Sequence, residues 1–192
     1  MWDERRNPTR RARTQRGAVL VRVAVTGTPG TGKTTATELV ETDLEVVHLN
    51  DAIREEELHD GADEERGSLY ANFDAIRQWL DEQGDGGDDL LVDSHLAHHF
   101  DAEEVVVLRC HPEELRERLL ERGETDAKAE ENAESEALDV ILSESVAEHG
   151  TESVYEIDTT DRAPDAVASD IEAVIEGERE PSAGTVDYLE YL

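Results

Sequence analysis

The sequence predicts a three-layer α/β fold in which a five-stranded parallel sheet lies between helices. Short apolar runs, each long enough for a buried strand, alternate with longer amphipathic segments. A glycine-rich turn follows the first run and leads directly into helix-forming residues. The chain of 192 residues is long enough for one domain with its own hydrophobic core.

The predicted strands are rich in valine and leucine. They lie at 18–25, 44–49, 89–93, 104–109 and 153–158. The first, AVLVRVAV, is almost continuously apolar, as expected for a strand that is covered on both faces. We therefore expect one parallel sheet at the centre of the molecule.

The helices are predicted from capping residues and from apolar residues spaced three or four apart. Ser68 is the predicted N-cap of a helix that continues to Leu80, and the glycines of 84–87 end it. Pro112 and Gly123 bound another helix, with proline first and glycine last. The predicted helices lie at 33–41, 51–60, 68–80, 112–123, 126–150 and 163–177.

The charge of the chain is extreme, with 49 acidic and 18 basic residues and a formal net charge of −31. Such charge also occurs in disordered chains, but the regular apolar periodicity argues against disorder. The carboxylates are spread along the whole chain and are not confined to one tail. We interpret them as the surface of a halophilic protein, whose self-repulsion is screened within about 3 Å in 1 M salt.

Both ends are predicted to lie outside the domain, which we place at 18–177. Residues 1–17 include six arginines, and we interpret them as a disordered extension, with RNA binding or a later translation start as alternatives. Arg22 interrupts the apolar residues that follow, so they predict a strand and not a signal peptide. Residues 178–192 are predicted to be a tail.

Cysteine content and hydropathy exclude two further classes of protein. The single cysteine, Cys110, excludes an internal disulfide framework and fits a reducing cytoplasm. No apolar run approaches the roughly 18 residues of a membrane span. We therefore expect a cytoplasmic protein without a membrane partner.

The glycine-rich turn, GTPGTGKT at Gly27–Thr34, matches the phosphate-loop pattern G-x-x-x-x-G-K-[ST] in full. Gly27, Gly30 and Gly32 allow the backbone to curl, so that successive N–H groups point at phosphate oxygens. The pattern also lies where it is required, after a buried strand and before a helix. The turn therefore predicts a site for a nucleotide such as ATP.

Lys33 is one of only two lysines in the chain, the other being Lys128. We interpret its retention as a requirement for a compact point charge that fits inside the loop and reaches the β- and γ-phosphates. Thr34 is predicted to place its hydroxyl on Mg²⁺. Thr35 is placed for the α-phosphate.

Asp93 ends the predicted strand at 89–93, where a carboxylate can hold Mg²⁺ opposite Thr34. The alternative is a capping aspartate. His95 follows two residues later, and its imidazole could orient an attacking water or nucleophile. The alternative is that the ring only makes hydrogen bonds within its own loop. With His98 and His99 it does not predict a zinc site, because no cysteine lies near and further ligands at metal spacing are missing.

Several stretches of the chain resemble the adenylate kinase isoenzyme six family of archaea and eukaryotic nuclei. They are GTPGTGKTT at 27–35, NDAIREEELHDGADEE at 50–65, LLVDSHLAHHF at 90–100, and VVVLRCHPEELRERLLERG at 105–123 with ENAESEALDVILSES at 131–145. The pattern D-x-H at the end of a strand is the most specific part. The guanine-reading motif N-K-x-D of GTPases does not occur.

The resemblance implies a P-loop NTPase fold of the nucleoside monophosphate kinase type, with an NMP-binding segment at about 48–71 and a short lid at about 121–131. It implies a broad-specificity kinase, ATP + AMP to 2 ADP, with ATPase activity. Members of the family act in late maturation of the small ribosomal subunit, so the implied partners are a ribosomal protein of its platform and the pre-30S particle. Direct DNA binding is not implied.

The resemblance also assigns roles to individual residues. It links His95 to ATP hydrolysis. It matches Arg54 to the arginine that binds the acceptor monophosphate, and Asp51 lies in the same segment. Arg122 matches the lid arginine that closes over ATP, whereas Arg116 and Arg118 are expected to pair with glutamates on their own helix.

Two functions remain open at this point. The first is a nucleoside monophosphate kinase whose chemistry rests on positioning and charge neutralisation. The second is a nucleotide-gated ribosome-assembly ATPase with little kinase activity. The acidic surface suits a basic ribosomal protein, but it suits salt adaptation equally well.

Overall fold

The computed structural model describes residues 22–63, 68–84 and 89–192. Its strands are β1 (Arg22–Thr26), β2 (Glu45–His48), β3 (His59–Asp63), β4 (Ser68–Ala71), β5 (Leu90–Asp93), β6 (Glu104–Arg109) and β7 (Val154–Asp158). Its helices are α1 (Lys33–Thr37), α2 (Leu49–Glu55), α3 (Phe73–Gly84), α4 (Pro112–Glu121), α5 (Asp126–Ala137), α6 (Val140–His149) and α7 (Pro164–Ile175).

Five strands form one parallel sheet in the order β2-β5-β1-β6-β7. The predicted fold class is therefore confirmed, and each of the five predicted strands overlaps one strand of this sheet. Residues 18–21 of the first predicted strand, like the extension at 1–17, lie outside the described residues. Because all the strands run the same way, their carboxyl ends meet at one edge of the sheet.

The sheet is buried on both faces because successive side chains of each strand enter different cores. In β1, Val23 and Val25 pack with α1 and α7 on one face, while Ala24 packs with α3 and α6 on the other. The same alternation occurs in β6, where Val106 faces one core and Val107 the other. This arrangement produces the near-continuous apolar runs that the sequence shows. No helix of the described residues is both long and apolar enough to cross a membrane.

The segment between β2 and α3 differs from the prediction. A single helix at 51–60 was expected, but α2 ends at Glu55 and the chain then enters an antiparallel hairpin of β3 and β4. Ser68 begins β4 and is not a helix cap. The cap of α3 is Asn72, whose Oδ1 accepts from the amide of Ala75 at 3.0 Å.

The helix predicted over 126–150 is two helices, α5 and α6, which meet at a break. Asp139 at the break has a left-handed backbone with φ of 54°. The buried Arg109 guanidinium donates to the carbonyl of Glu136 at 3.1 Å and also pairs with the carboxylate of Asp139. These contacts take up the carbonyl and side chain at the end of α5, so the chain turns there.

The segment predicted as a tail, 178–192, folds back over the edge strand β7. Glu156 of β7 is buried, and its Oε2 accepts from the amide of Thr185 at 2.6 Å. Ser182 Oγ accepts from the amide of Glu156 at 3.0 Å. The ring of Tyr188 lies under the guanidinium of Arg109, 5.5 Å from its centre.

Candidate active site

The phosphate loop occupies the carboxyl edge of the sheet, between β1 and α1. At Gly27 the backbone has φ of 140°, and a Cβ atom there would lie 2.4 Å from the carbonyl oxygen of Leu108. No side chain can replace glycine at that position without moving β6. Gly32 also has a left-handed backbone, with φ of 90°, at the start of α1. The glycines therefore let the loop pack directly against the sheet.

Lys33 folds its side chain back over the loop. Its Nζ donates to the carbonyls of Gly27 at 2.7 Å and Thr28 at 3.1 Å. Burial lowers the pKa of Lys33 to about 8, although the nearby charges of Asp93 and Glu136 raise it. An ammonium has three protons, so one remains for a ligand in the loop.

Asp93 is buried at the end of β5 and lies beside α1. Its Oδ2 is 3.1 Å from Thr37 Oγ1 and 3.0 Å from His48 Nδ1. Within the described residues its Oδ1 makes no hydrogen bond. Two neighbours thus hold the carboxylate while one oxygen stays available.

Thr34 and Thr35 are exposed in the first turn of α1. Thr34 precedes Thr37 by one turn, so its hydroxyl lies on the part of α1 that borders Asp93. A hydroxyl and a carboxylate oxygen are hard oxygen donors of the kind that Mg²⁺ takes. The donor set therefore fits the predicted magnesium ion.

His95 lies in the turn after β5, half-buried. Burial and, to a smaller extent, the positive charge of Lys33 lower the pKa of His95 to about 4. Its ring makes no hydrogen bond with any residue that the structure describes. At neutral pH it is an uncharged imidazole with a free lone pair near the loop.

Arg54 and Asp51 lie together on α2 and not in the phosphate loop. Their side chains form an ion pair of 3.0 Å, and each is 65% exposed. In the described ranges no contact joins either of them to Lys33 or Asp93. The helix follows β2, so both residues lie on the side of the sheet where the strands have their carboxyl ends.

Arg122 caps the carboxyl end of α4 and lines a cavity of about 260 Å³ that opens beside the loop. The cavity also touches Gly30, Thr35, Arg118, Thr159 and Arg162. The guanidinium of Arg122 has no hydrogen bond among the described residues, and its charge contributes to the lowered pKa of Lys33. It is therefore free to move towards phosphate oxygens.

Arg118 pairs with Glu114 on its own helix, as expected, but the same expectation was wrong for Arg116, which pairs with Asp126 and Glu130 of α5. Arg118 also makes contacts beyond its own helix. Its guanidinium also donates to the carbonyl of Thr159 at 3.1 Å and reaches that of Gly30. Arg118 thus joins α4 to the loop after β7 and forms one wall of the cavity. No sequence pattern indicates this contact, because Arg118 and Thr159 are 41 residues apart.

A second feature that the sequence does not predict is a buried chain of polar contacts beneath the phosphate loop, formed by Thr28, Glu136, Arg109 and Glu156, which we call the brace. Thr28 Oγ1 donates to one oxygen of Glu136, and the other oxygen accepts from Arg109 Nε at 2.7 Å. Arg109 in turn pairs with Glu156 at 2.6 Å. The brace links the loop to α5, β6 and β7, through residues that are up to 108 positions apart.

Comparison with known proteins places this geometry in context. A family model described as an AAA domain matches residues 23–139. A protein of Natronomonas pharaonis named "Putative adenylate kinase" is 67% identical over 172 residues, which cover 90% of this chain and 100% of that protein. A protein of Methanocaldococcus jannaschii with the same name is 35% identical over 172 residues, covering 88% and 94%.

Two solved structures share the fold. Shikimate kinase from Acinetobacter baumannii, in complex with shikimate, has a TM-score of 0.58 at 15% identity, covering 84% of this chain and 96% of that one. An unliganded sugar kinase from Janibacter sp. HTCC2649 has a TM-score of 0.51 at 21% identity, covering 88% and 100%. At these identities the likeness shows the fold alone.

Proposed function

Because this chain belongs to the AAA-domain family of phosphate-loop proteins, together with its archaeal adenylate-kinase relatives, we propose that it is a nucleoside monophosphate kinase. The proposed reaction is ATP + AMP to 2 ADP, with broad acceptance of other monophosphates. The observation that carries the proposal is the buried ammonium of Lys33. It is held in the phosphate loop beside Asp93 and has a proton left for a phosphate oxygen.

In this reaction a phosphate oxygen of AMP attacks the γ-phosphorus of ATP. A new oxygen–phosphorus bond forms while the bond from the γ-phosphorus to the β-γ bridging oxygen breaks, and ADP leaves. Lys33 would donate to the β- and γ-phosphate oxygens, on which negative charge lies throughout. Arg122 would swing from the cavity wall and neutralise charge on the transferred group. Thr35 would donate to the α-phosphate.

Mg²⁺ would be held by Thr34 and Asp93 and would neutralise charge on the β- and γ-oxygens. Thr37 and His48 keep the Asp93 carboxylate in place for that role. The cavity beside Arg118 and Arg122 would take the base of ATP, against the loop after β7.

Arg54 is the proposed ligand of the acceptor phosphate. Its present partner is Asp51, through one exposed ion pair, and such pairs contribute at most about 1 kcal/mol. A phosphate offers the guanidinium a stronger, bidentate contact. Exchange of Asp51 for the phosphate is therefore favourable, and Asp51 would then be free to contact the acceptor nucleotide.

The test is turnover of ATP with and without each nucleoside monophosphate, in molar KCl. We expect AMP-dependent formation of ADP that Lys33→Ala abolishes. Lys128→Ala is the matched control, since Lys128 is the other lysine of the chain and forms only a half-exposed pair with Glu124. Normal turnover by Lys33→Ala would overturn the assignment.

We further propose that the protein hydrolyses ATP and acts in maturation of the small ribosomal subunit, as members of the isoenzyme six family do. The neutral imidazole of His95, next to the loop and without a hydrogen bond in the described chain, supports a role in orienting water. The net charge of −31 is compatible with a basic ribosomal protein as partner.

This second role needs its own measurement. The purified protein would be tested for capture of the platform protein of the small subunit with ATP, with ADP and without nucleotide. Capture that depends on the nucleotide supports the role. Capture that ignores the nucleotide, or none, would contradict it and leave the kinase proposal untouched.

A further inference from the structure

A cluster of ligating side chains lies beside the active site and has no part in the proposed phosphoryl transfer. His98 and His99 belong to the 3-10 turn Ala97–His99, and Glu144 belongs to α6. One ligand atom from each lies within 4.8 Å of the others. No further ligand was expected near these histidines in sequence, and the fold supplies one from 46 residues away.

His98 is oriented as a ligand by a second contact. Its ring is 1% exposed, with Nδ1 at 2.9 Å from Thr26 Oγ1 and Nε2 at 3.1 Å from Glu144 Oε2. The Thr26 hydroxyl oxygen can accept a hydrogen bond from Nδ1–H of His98, and in that tautomer the lone pair of the ring is on Nε2. A ligating histidine normally has such an outer partner, which fixes its tautomer.

The spacing of the atoms also suits a metal ion. Two ligand atoms about 2.0–2.1 Å from a tetrahedral ion are roughly 3.3 Å apart. The 3.1 Å between His98 Nε2 and Glu144 Oε2 is close to that value. Only a small outward movement of the Glu144 carboxylate, which is 47% exposed, would admit the ion.

His99 repeats the arrangement of His98. Its Nδ1 lies 2.7 Å from Glu148 Oε1, so the carboxylate can hold the Nδ1 proton and leave Nε2 with a lone pair. The rings of His98 and His99 are 4.0 Å apart between centroids. His149 donates to the carbonyl of His98 at 2.6 Å and fixes the backbone of the turn.

The charges of the cluster favour a bound cation. Two imidazoles and a carboxylate meet there, and Glu148 adds a second carboxylate. Imidazole nitrogen and carboxylate oxygen together are the donors of zinc and similar borderline ions.

We propose that His98, His99 and Glu144 form a binding site for a transition-metal ion of the zinc class, with water as the remaining ligand. The ion would join the turn after β5, which carries His95, to α6. His98 also contacts Thr26, the residue that precedes the phosphate loop, so the ion would be linked to that loop as well. The site would thus stiffen one side of the active site.

The test uses untagged protein of the full chain in molar KCl with excess Mg²⁺, which occupies the acidic surface but does not compete for imidazole. Zn²⁺ binding is measured by equilibrium dialysis, and Co²⁺ provides an absorption spectrum that reports nitrogen ligands. We expect one tight equivalent of Zn²⁺ and a thermal unfolding temperature that rises with Zn²⁺.

His99→Gln and Glu144→Gln are the deciding variants, because both side chains are partly exposed and their loss should not prevent folding. Each should weaken Zn²⁺ binding by about ten-fold or more. His111→Gln, outside the cluster, is the matched control and should bind as the parent does. Equal binding by the parent and by the double variant, or a Co²⁺ spectrum with oxygen ligands alone, would overturn the proposal.

Discussion

Lys33 shows how a single side chain can be confined by the loop that it serves. Two backbone carbonyls of that loop, from Gly27 and Thr28, accept from its Nζ, and the side chain is buried. A guanidinium is planar and spreads its charge over three nitrogens, so it cannot replace a point charge inside the curl. The geometry gives a physical reason why a chain with two lysines keeps one here.

We therefore expect Lys33→Arg to lose about 100-fold or more in kcat, although it preserves the charge. The reason is that the larger group cannot reach the phosphates from between the two carbonyls. The measurement is steady-state turnover of ATP and AMP, with Lys128→Arg as the control. Full activity of Lys33→Arg would show that the loop does not require a lysine.

The lowered pKa of Lys33 predicts a pH dependence. In the free enzyme the ammonium loses its proton as pH rises through about 8, so kcat/KM for ATP should fall above that pH. Phosphates bound beside the ammonium favour its charged form, so the fall in kcat should occur at higher pH. The pH profiles of the two constants, measured side by side, test this.

The lowered pKa of Lys33 affects stability in the opposite direction, because stability should rise with pH where activity falls. Between pH about 8 and 10.5, the unfolded chain holds the Lys33 proton and the folded protein does not. The contribution of Lys33 to the free energy of unfolding therefore increases with pH across that interval. Thermal melts of the parent and of Lys33→Met over this pH range measure the contribution of Lys33. If the parent instead unfolds where its activity is lost, unfolding explains the loss and the pKa explanation fails.

At the scale of elements, the strands of the central sheet could be predicted because burial on both faces leaves continuous apolar runs. The hairpin of β3 and β4 could not, since HDGAD at His59–Asp63 has neither alternation nor β-branched residues. The hairpin depends on the antiparallel pairing of β3 with β4 and on the left-handed backbone of Glu57, which lies after α2. Such pairing cannot be predicted from the residues of β3 alone.

The break between α5 and α6 has a similar cause. No glycine or proline lies at the break, and the side chain that contacts Asp139 there comes from Arg109, 30 residues earlier. For the candidate site, the phosphate-loop motif and the end of the predicted strand pointed to Lys33, Thr34 and Asp93. The supporting residues Thr37, His48 and Glu136 make contacts 45 to 108 residues apart, and no sequence pattern reports them.

Arg109 provides a prediction about the elements that it joins. Its side chain is 1% exposed and pairs with Glu136, Asp139 and Glu156. Arg109→Ala would leave two buried carboxylates without their cation, and we expect a loss of about 3–5 kcal/mol in the free energy of unfolding. Urea unfolding in molar KCl measures it.

Arg116→Ala is the matched control for Arg109→Ala. Arg116 also contacts two carboxylates, at 3.1 and 2.8 Å, but its side chain is 35% exposed. Its loss should cost no more than about 1 kcal/mol. Equal losses for the two variants would mean that burial does not decide the strength of these pairs.

At the scale of the whole molecule, the net charge of −31 dominates. Repulsion among exposed carboxylates raises the free energy of the compact state when salt is low. We expect the thermal unfolding temperature to rise by several degrees between about 0.1 M and 1 M KCl, over which the screening length falls from about 10 Å to 3 Å. Calorimetry across a KCl series checks this.

The shape of that dependence distinguishes two causes. Screening should produce most of the rise below about 1 M KCl, because the screening length changes little beyond it. Exclusion of salt from the protein surface would instead give a rise that continues in proportion to concentration. A straight line through the whole series would count against charge repulsion as the cause.

The fold of residues 178–192 over β7 has a consequence for the order of events during synthesis. The Glu156 carboxylate is buried, and it receives the amide of Thr185 only 29 residues later. While the ribosome is still making that stretch, Glu156 can pair with Arg109 through Oε1, but its Oε2 still lacks the amide of Thr185. The phosphate loop is linked to Glu156 through Glu136 and Arg109, so we expect this brace to gain its last contacts only after residue 185 has emerged.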